Sequence, residues 1–130
     1  VGANERRGMT ISRDGFLNKF GRRYAVKKLP VSGDEVRLRS LTAREMHDFR
    51  RSLVDRAGKP ISQRWDNQDQ LLIALVVVDE EGRPVFTEAD VEQLAECDGG
   101  VVTWLAGRCK EWTGFLPDDD WSPIADAAKN

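Results

Sequence analysis

The longest apolar run in the chain, LLIALVVV at Leu71–Val78, most strongly limits how the chain can fold. The run has to be buried, yet it is far shorter than the roughly 20 residues of a membrane-spanning helix. Its leucines favour a helix that begins near Ser62 or Asp66. The β-branched Val76–Val78 then ends that helix as a strand or as an extended tail. The run therefore predicts the centre of a globular core.

Two alternating segments upstream of this run predict a β-hairpin. In RRYAVKKL, Tyr24 and Val26 alternate with Lys27, and in VRLRSL, Val36 and Leu38 alternate with arginines. The intervening PVSGDE contains the proline, serine, glycine and aspartate that are typical of turns. The pattern predicts two antiparallel strands with one solvent-facing side. Because two strands alone are marginally stable, they have to pack on helices.

Capping residues predict where the helices begin. They are Thr42 with Glu45, Thr87 with Asp90, and Asp98 ahead of Val101–Thr113. The first two pairs have the spacing of a capping box, in which the two residues satisfy each other's backbone N–H groups. Gly114 is a suitable residue to end the last helix. The predicted fold is α+β and mainly α, with an N-terminal β-hairpin packed on three or four short helices.

The length of 130 residues is suited to one domain. Residues 1–21 are polar and rich in glycine, which predicts a flexible N-terminal arm. Within it, Phe16 and Phe20 have the spacing of one helical turn that docks on the domain or on a partner. Residues 22–116 are predicted to form the single domain, and residues 117–130 an acidic C-terminal tail.

Charge is distributed unevenly along the chain. Residues 1–65 contain 16 Lys and Arg against 7 Asp and Glu, a net charge of +9, whereas residues 66–130 contain 4 against 15, a net charge of −11. Such asymmetry indicates a charged partner for one half. The alternative is that the two halves face each other within the domain and neutralise locally.

The residues that most often perform catalysis or bind metals are few. Cys97 and Cys109 have neither zinc spacing nor a disulfide framework, and two buried thiols are the simplest interpretation. The alternative for Cys97 is partial exposure, because it lies in a predicted loop. His47 has no evident nucleophile or orienting partner and is predicted to lie on a helix surface. We therefore predict no catalytic residue, no metal site, no cofactor and no enzymatic activity.

Three segments between Leu29 and Phe115 contain short motifs in a specific order: LPVSGDEVRLRSLTAREMHDFRRSLVD, LLIALVVVDEEGRPVFTEADVEQL and VVTWLAGRCKEWTGF. This order resembles the tail assembly chaperones of long-tailed, siphovirus-type bacteriophages and prophages. That family has a V-x-V/L-R-x-L-T element, an E-x-x-x-F helix, an L-V-D-E-x-G turn, an F-T-x-x-D-V helix start and a last amphipathic helix that ends near N-G-L. The matching residues are Val36, Leu38, Arg39, Leu41, Thr42, Glu45, Phe49, Val78, Asp79, Glu80, Gly82, Phe86, Thr87, Asp90, Val91 and Gly114.

The resemblance implies a non-enzymatic protein of the host bacterial cytoplasm. Such a chaperone binds the tape-measure protein and recruits tail-tube subunits during tail assembly. It is absent from the mature virion. Self-association along the client is also expected, whereas membranes and nucleic acids are not expected partners.

Candidate partner-binding residues combine apolar surface with positive charge. They are Phe16, Phe20, Arg37, Arg39, Arg44, Arg51 and Trp104. For Trp104 and Trp112 the alternative is that they fill the core. Two other functions stay open. One is a structural tail-completion or connector protein of the virion, and the other is a small nucleic-acid-binding regulator that uses the basic N-terminal half.

Overall fold

The computed structural model, which describes residues 10–115, contains a three-stranded antiparallel sheet. β1 (Tyr24–Lys28) and β2 (Glu35–Arg39) form the predicted hairpin, and β3 (Val77–Val78) pairs with the other edge of β2. Val77 lies opposite Leu38. The apolar run therefore ends as a strand rather than as an extended tail.

Six α-helices accompany this sheet within residues 10–115. They are α1 (Arg13–Lys19), α2 (Ala43–Ser52), α3 (Ser62–Asp66), α4 (Gln68–Val76), α5 (Val91–Ala95) and α6 (Gly99–Thr113), and a 3₁₀ turn at Glu88–Asp90 precedes α5. With 51% of the described residues helical, the predicted α+β, mainly α class is confirmed. None of these helices combines the length and apolar character needed to cross a membrane.

Local capping chemistry explains where the longer helices begin and end. Thr42 Oγ1 accepts a hydrogen bond from the Glu45 N–H at 3.1 Å, and Glu45 Oε1 accepts one from the Thr42 N–H at 2.8 Å. This is the complete capping box that the sequence predicts. Asp98 Oδ1 accepts from the Val101 N–H at 3.0 Å to cap α6, and Gly114, at a φ of 91°, ends that helix.

The core lies between the sheet, α4 and α6. Leu72, Ile73 and Val76 of α4 pack with Leu38 of β2 and Cys109 of α6, and all five are almost completely buried. Close packing of this kind is sensitive to the loss of even one methylene. The apolar run is therefore the buried centre of the fold, as its composition predicts.

The faces of the hairpin differ from the sequence prediction. Tyr24 pairs with Arg39 and Val26 with Arg37, whereas Lys27 pairs with Val36. Because directly opposite residues project to the same side of a sheet, Tyr24 and Val26 share a face with the arginines and not with the core. The prediction of one apolar and one solvent-facing side is wrong for β1.

The connection between β1 and β2 sets this register. The Leu29 N–H donates to the Asp34 carbonyl oxygen at 2.7 Å, and the Gly33 N–H donates to the Leu29 carbonyl oxygen at 3.0 Å. Val31 and Gly33 both have positive φ, at 72° and 75°. The connection is thus a specific loop, and a shift of one residue would exchange the two faces of β1.

The predicted domain boundaries stay predictions. Residues 10–21 of the predicted arm contain α1, in which Ser12 Oγ accepts from the Gly15 N–H at 3.0 Å. The predicted acidic tail, residues 117–130, lies outside the described residues.

Candidate protein-binding surfaces

The cysteines and the histidine lie on three different segments of the chain. His47 is exposed on α2, Cys97 is exposed just after α5, and Cys109 is buried in α6. The interpretation of two buried thiols is therefore correct for Cys109, whereas Cys97 is exposed, as expected for a residue of a loop. Burial, with a smaller contribution from the negative charge of Asp69, raises the pKa of Cys109 to about 12. Within residues 10–115 no three His, Cys, Asp or Glu side chains form a metal-binding cluster.

A groove of about 440 Å³ runs beside α2, and we call it the α2 groove. Its apolar floor consists of Phe49, Leu71, Ala74, Leu75 and Phe86. Its rim consists of charged side chains of both signs, Arg39, Glu45, Asp48, Arg64 and Glu88. An apolar floor with a charged rim suits the apolar face of an amphipathic helix.

The rim of the α2 groove is held by two ion pairs. Arg22 Nη2 lies 3.0 Å from Glu45 Oε2, and Arg64 Nη2 lies 2.8 Å from Glu88 Oε1. Burial opposes ionisation of Glu45. Hydrogen bonds from Arg22 and the Thr42 N–H, together with nearby arginine charge, nevertheless lower its pKa below 4.5. The Glu45 carboxylate is therefore a fixed negative charge at neutral pH.

A second groove, of about 610 Å³, is lined by residues of all three strands and by Leu105 of α6, and we call it the sheet groove. It contains Val26 and Val85, which are 51% and 50% exposed. Arg37 also lines it, with its guanidinium 4.8 Å from the centre of the Tyr24 ring. Sequence reasoning missed the two valines, since only the register reveals that Val26 faces away from the core.

A third concavity, of about 890 Å³, lies between α2, α4 and the end of α6, and we call it the C-terminal cleft. Its walls include Leu53, Trp65, Leu72, Lys110 and Phe115. Lys110 Nζ is 2.9 Å from Asp69 Oδ1 on the facing helix. The cleft is thus partly apolar and partly charged.

The two phenylalanines predicted to bind a partner lie on α1. Phe16 and Phe20 are 52% and 59% exposed, and their ring centroids are 4.9 Å apart. No residue of α1 is buried. These rings therefore form a small apolar patch outside the core.

The four predicted arginines lie in different environments. Arg44 and Arg51 are exposed on α2. Arg37 and Arg39 are half-buried, and Arg39 Nε donates a hydrogen bond of 2.8 Å to the Leu75 carbonyl oxygen. The arginines thus form no single cluster, and Arg39 has a structural role in addition to any role in binding.

The two tryptophans of α6 both contact the core and are partly buried. Trp104 and Trp112 pack against the main core cluster. The Arg23 guanidinium lies 4.4 Å from the centre of the Trp112 ring, and that of Arg108 lies 5.7 Å from the Trp104 ring. The core-packing alternative is therefore correct in part for both residues.

The two differently charged halves of the chain are joined by few ion pairs. Within the described residues, the stretch 10–65 has 14 basic and 6 acidic residues, and the stretch 66–115 has 3 and 11. Arg64–Glu88 is the one ion pair in residues 10–115 that joins the two stretches. Local neutralisation is therefore limited, and the N-terminal half presents positive charge to solvent.

Taken together, these features define a small α+β protein with open surface grooves rather than one enclosed pocket. No protein-family model matches the sequence, and no curated protein matches it significantly. Among solved structures, the fold is similar to that of the bacteriophage HK97 tail assembly chaperone. The TM-score is 0.52 at 24% sequence identity, and the similarity covers 75% of this chain and 94% of the HK97 chain. The resemblance drawn from the sequence motifs is thereby confirmed for the fold.

Proposed function

We propose that this protein is a phage tail assembly chaperone that binds the tape-measure protein and recruits tail-tube subunits. The observation that carries this proposal is the fold shared with the HK97 tail assembly chaperone, which extends over 94% of that chain. Open grooves with apolar floors add physical support, because a chaperone for a long polypeptide needs accessible surface.

The α2 groove is our candidate site for the tape-measure protein. An amphipathic helix of the client would place its apolar side on Phe49, Leu75 and Phe86. Its charged flanks would pair with the mixed rim. The exposed Arg44 and Arg51 lie on the same helix and would accelerate encounter with an acidic client.

The patch of Phe16 and Phe20 and the sheet groove are our candidate sites for tail-tube subunits or for a second copy of the chain. They lie on α1 and on the sheet, and the sheet groove adjoins the α2 groove at Phe86, which lines both. Neighbouring surfaces would allow a chaperone to hold its client and a second protein together. Linking two weak contacts in this way raises the overall affinity without any new contact.

In the function that we propose, the protein acts without catalysis or cofactors in the host bacterial cytoplasm. It leaves the assembling tail before the virion is complete. Quantitative mass spectrometry of purified particles and of the lysate tests this. We expect the chain in the lysate and its absence from particles, where the tape-measure and tail-tube proteins serve as positive controls. Recovery from particles in a fixed ratio to the tail-tube protein would contradict the chaperone function and support a tail-completion or connector protein.

A further inference from the structure

The sheet groove has the largest net charge of the three named concavities. Most of its lining is apolar and consists of Val26, Leu29, Val36, Val77, Val78, Val85, Phe86 and Leu105. Its charged residues are Arg37 and three acids, Glu35, Asp79 and Glu80, which we call the groove carboxylates. One positive charge against three negative charges gives the lining a net charge of −2. The lining of the C-terminal cleft, by contrast, is neutral.

The negative charge of the sheet groove is left uncompensated by the described part of the chain. None of the ion pairs within residues 10–115 includes a groove carboxylate. Arg37 has its guanidinium 4.8 Å from the centre of the Tyr24 ring and forms no ion pair there. Lys28 lies opposite Glu35 in the hairpin, but it does not line the groove. The groove carboxylates therefore remain available to a cation from outside.

One of the groove carboxylates is held in a fixed position. Asp79 Oδ1 accepts hydrogen bonds from the Arg83 N–H and the Glu81 N–H, both at 2.9 Å. The Arg83 side chain pairs with Glu81 at 3.4 Å and does not line the groove. The Asp79 carboxylate is thus a negative charge with a defined place beside the apolar lining.

We propose that the sheet groove binds a segment of another protein in which Lys or Arg side chains flank aliphatic side chains. The aliphatic side chains pack on the half-exposed Val26 and Val85, and the cations lie beside Glu35 and Glu80. Exposed apolar surface of this kind marks a binding site, and complementary charge selects the partner that fits it. The inference deepens the proposed function and rests on it for the claim that this groove serves a protein partner.

A second copy of the chain is a less suitable occupant. Its stretch of the required composition is RRYAVKK, residues 22–28, and this stretch is already engaged in the fold. Arg22 is paired with Glu45 at 3.0 Å, and the Arg23 guanidinium lies 4.4 Å from the centre of the Trp112 ring. The occupant that we infer is therefore a different protein.

Selection from a library of random short peptides, displayed on ribosomes and presented to the immobilised full chain, tests the proposal. We expect enrichment of peptides in which Lys or Arg stands beside Leu, Ile or Val. An enriched peptide is then labelled with fluorescein, and its dissociation constant is measured by fluorescence anisotropy. Glu35→Lys with Glu80→Lys should weaken its binding roughly tenfold, because like charges then meet. Asp79 is left unchanged, since its carboxylate also holds the turn.

Two further measurements do not depend on the folding of the charge-reversed variant. Binding to wild type should weaken as sodium chloride is added, because salt screens exposed charges. Glu35→Gln with Glu80→Gln, which removes charge without reversing it, should cause a smaller loss in the same direction. Unchanged affinity in both measurements would overturn the proposal.

Glu92→Lys with Glu96→Lys is the matched control. Both glutamates are exposed, on or next to α5, and neither lines the sheet groove, so this variant should bind the peptide as wild type does. Methyl NMR spectra locate the peptide. It should shift the resonances of Val26 and Val85 and leave that of Leu53, which lies outside the groove, in place.

Several outcomes would contradict the inference. They are no enrichment, enrichment without an excess of Lys and Arg, and shifts confined to residues outside the groove. Self-association in sedimentation velocity that Glu35→Lys with Glu80→Lys removes would overturn it too, because the occupant would then be a second copy. The selection uses no phage protein, so its failure would leave the test of the chaperone function by mass spectrometry of particles unaffected.

Discussion

Arg39 Nε donates a hydrogen bond of 2.8 Å to the backbone carbonyl oxygen of Leu75. This carbonyl is in the last turn of α4, where no further helical N–H is available to it. The contact therefore joins the end of β2 to the central helix. Arg39, which the sequence predicts to bind a partner, thus also stabilises the fold.

Replacement of this arginine should therefore destabilise the protein. We expect Arg39→Ala to lower the free energy of unfolding by about 1.5–3 kcal/mol, the range for hydrogen bonds to charged groups. Urea denaturation measures this. Arg51→Ala is the control, because Arg51 is exposed and its loss should change stability by less than about 0.5 kcal/mol. Equal stabilities of the two variants would show that the Arg39–Leu75 contact contributes nothing.

Acid should destabilise the N-terminus of α2. Glu45 is held ionised by Arg22 and the Thr42 N–H, so its pKa in the folded state lies below 4.5. A lowered folded-state pKa gives stability that is present above about pH 4.5 and is lost as the pH falls through the folded-state pKa. We expect Glu45→Gln to be less stable than wild type at pH 7, with the difference shrinking in acid.

Urea midpoints measured from pH 7 to pH 3 for both proteins provide the test. Backbone hydrogen bonds from Arg83 and Glu81 also lower the pKa of Asp79, so wild type loses stability in acid for a second reason. The difference between wild type and Glu45→Gln isolates the Glu45 contribution. A difference that does not change with pH would contradict the assigned role.

Local chemistry was sufficient to predict several parts of the fold. The Thr42 capping box, the Asp98 cap and the Gly114 terminus each depend on residues within one helical turn. Sequence patterns of this kind specify an element with little influence from the rest of the chain. The central position of Leu71–Val78 was equally predictable, because so long an apolar run has no other place in a small domain.

Properties that depend on distant pairing could not be predicted in this way. The strand at Val77 exists because it pairs with Leu38, which is far away in sequence. The face on which Val26 lies depends on the register, which the loop at Leu29–Asp34 sets. The grooves, which combine side chains from several elements, follow only once the packing is known.

The β1–β2 loop contains a backbone strain that substitution should relieve. Val31 has a φ of 72°, which is an unfavourable backbone conformation for a β-branched residue. Its side chain is 98% exposed, so no packing compensates for this strain. We expect Val31→Asn to raise the free energy of unfolding by about 1 kcal/mol. Val26→Asn, the same change within a strand, should not stabilise. Thermal unfolding compares both variants with wild type. A Val31→Asn variant that is less stable than wild type would contradict the proposed strain at Val31.

The two thiols should differ sharply in reactivity. Cys97 is exposed, whereas Cys109 is buried with a pKa of about 12, and the thiolate is the reactive form. We expect one rapidly reacting thiol per folded chain with Ellman's reagent at pH 8, two in urea, and none in folded Cys97→Ser. Rapid reaction of two thiols in the folded wild type would contradict the burial of Cys109.

The most direct test of the central claim, that this protein acts by binding another polypeptide, is co-expression with the proposed client, a tape-measure protein, and measurement of the client's soluble yield. We expect the wild-type chain to raise this yield and to co-purify with the client. Ala74→Arg, which places a charge on the floor of the α2 groove, should abolish both effects if circular dichroism shows that it folds. Arg13→Ala on the exposed arm is the control and should behave as wild type. A yield that wild type does not raise, with no co-purification, would contradict the account.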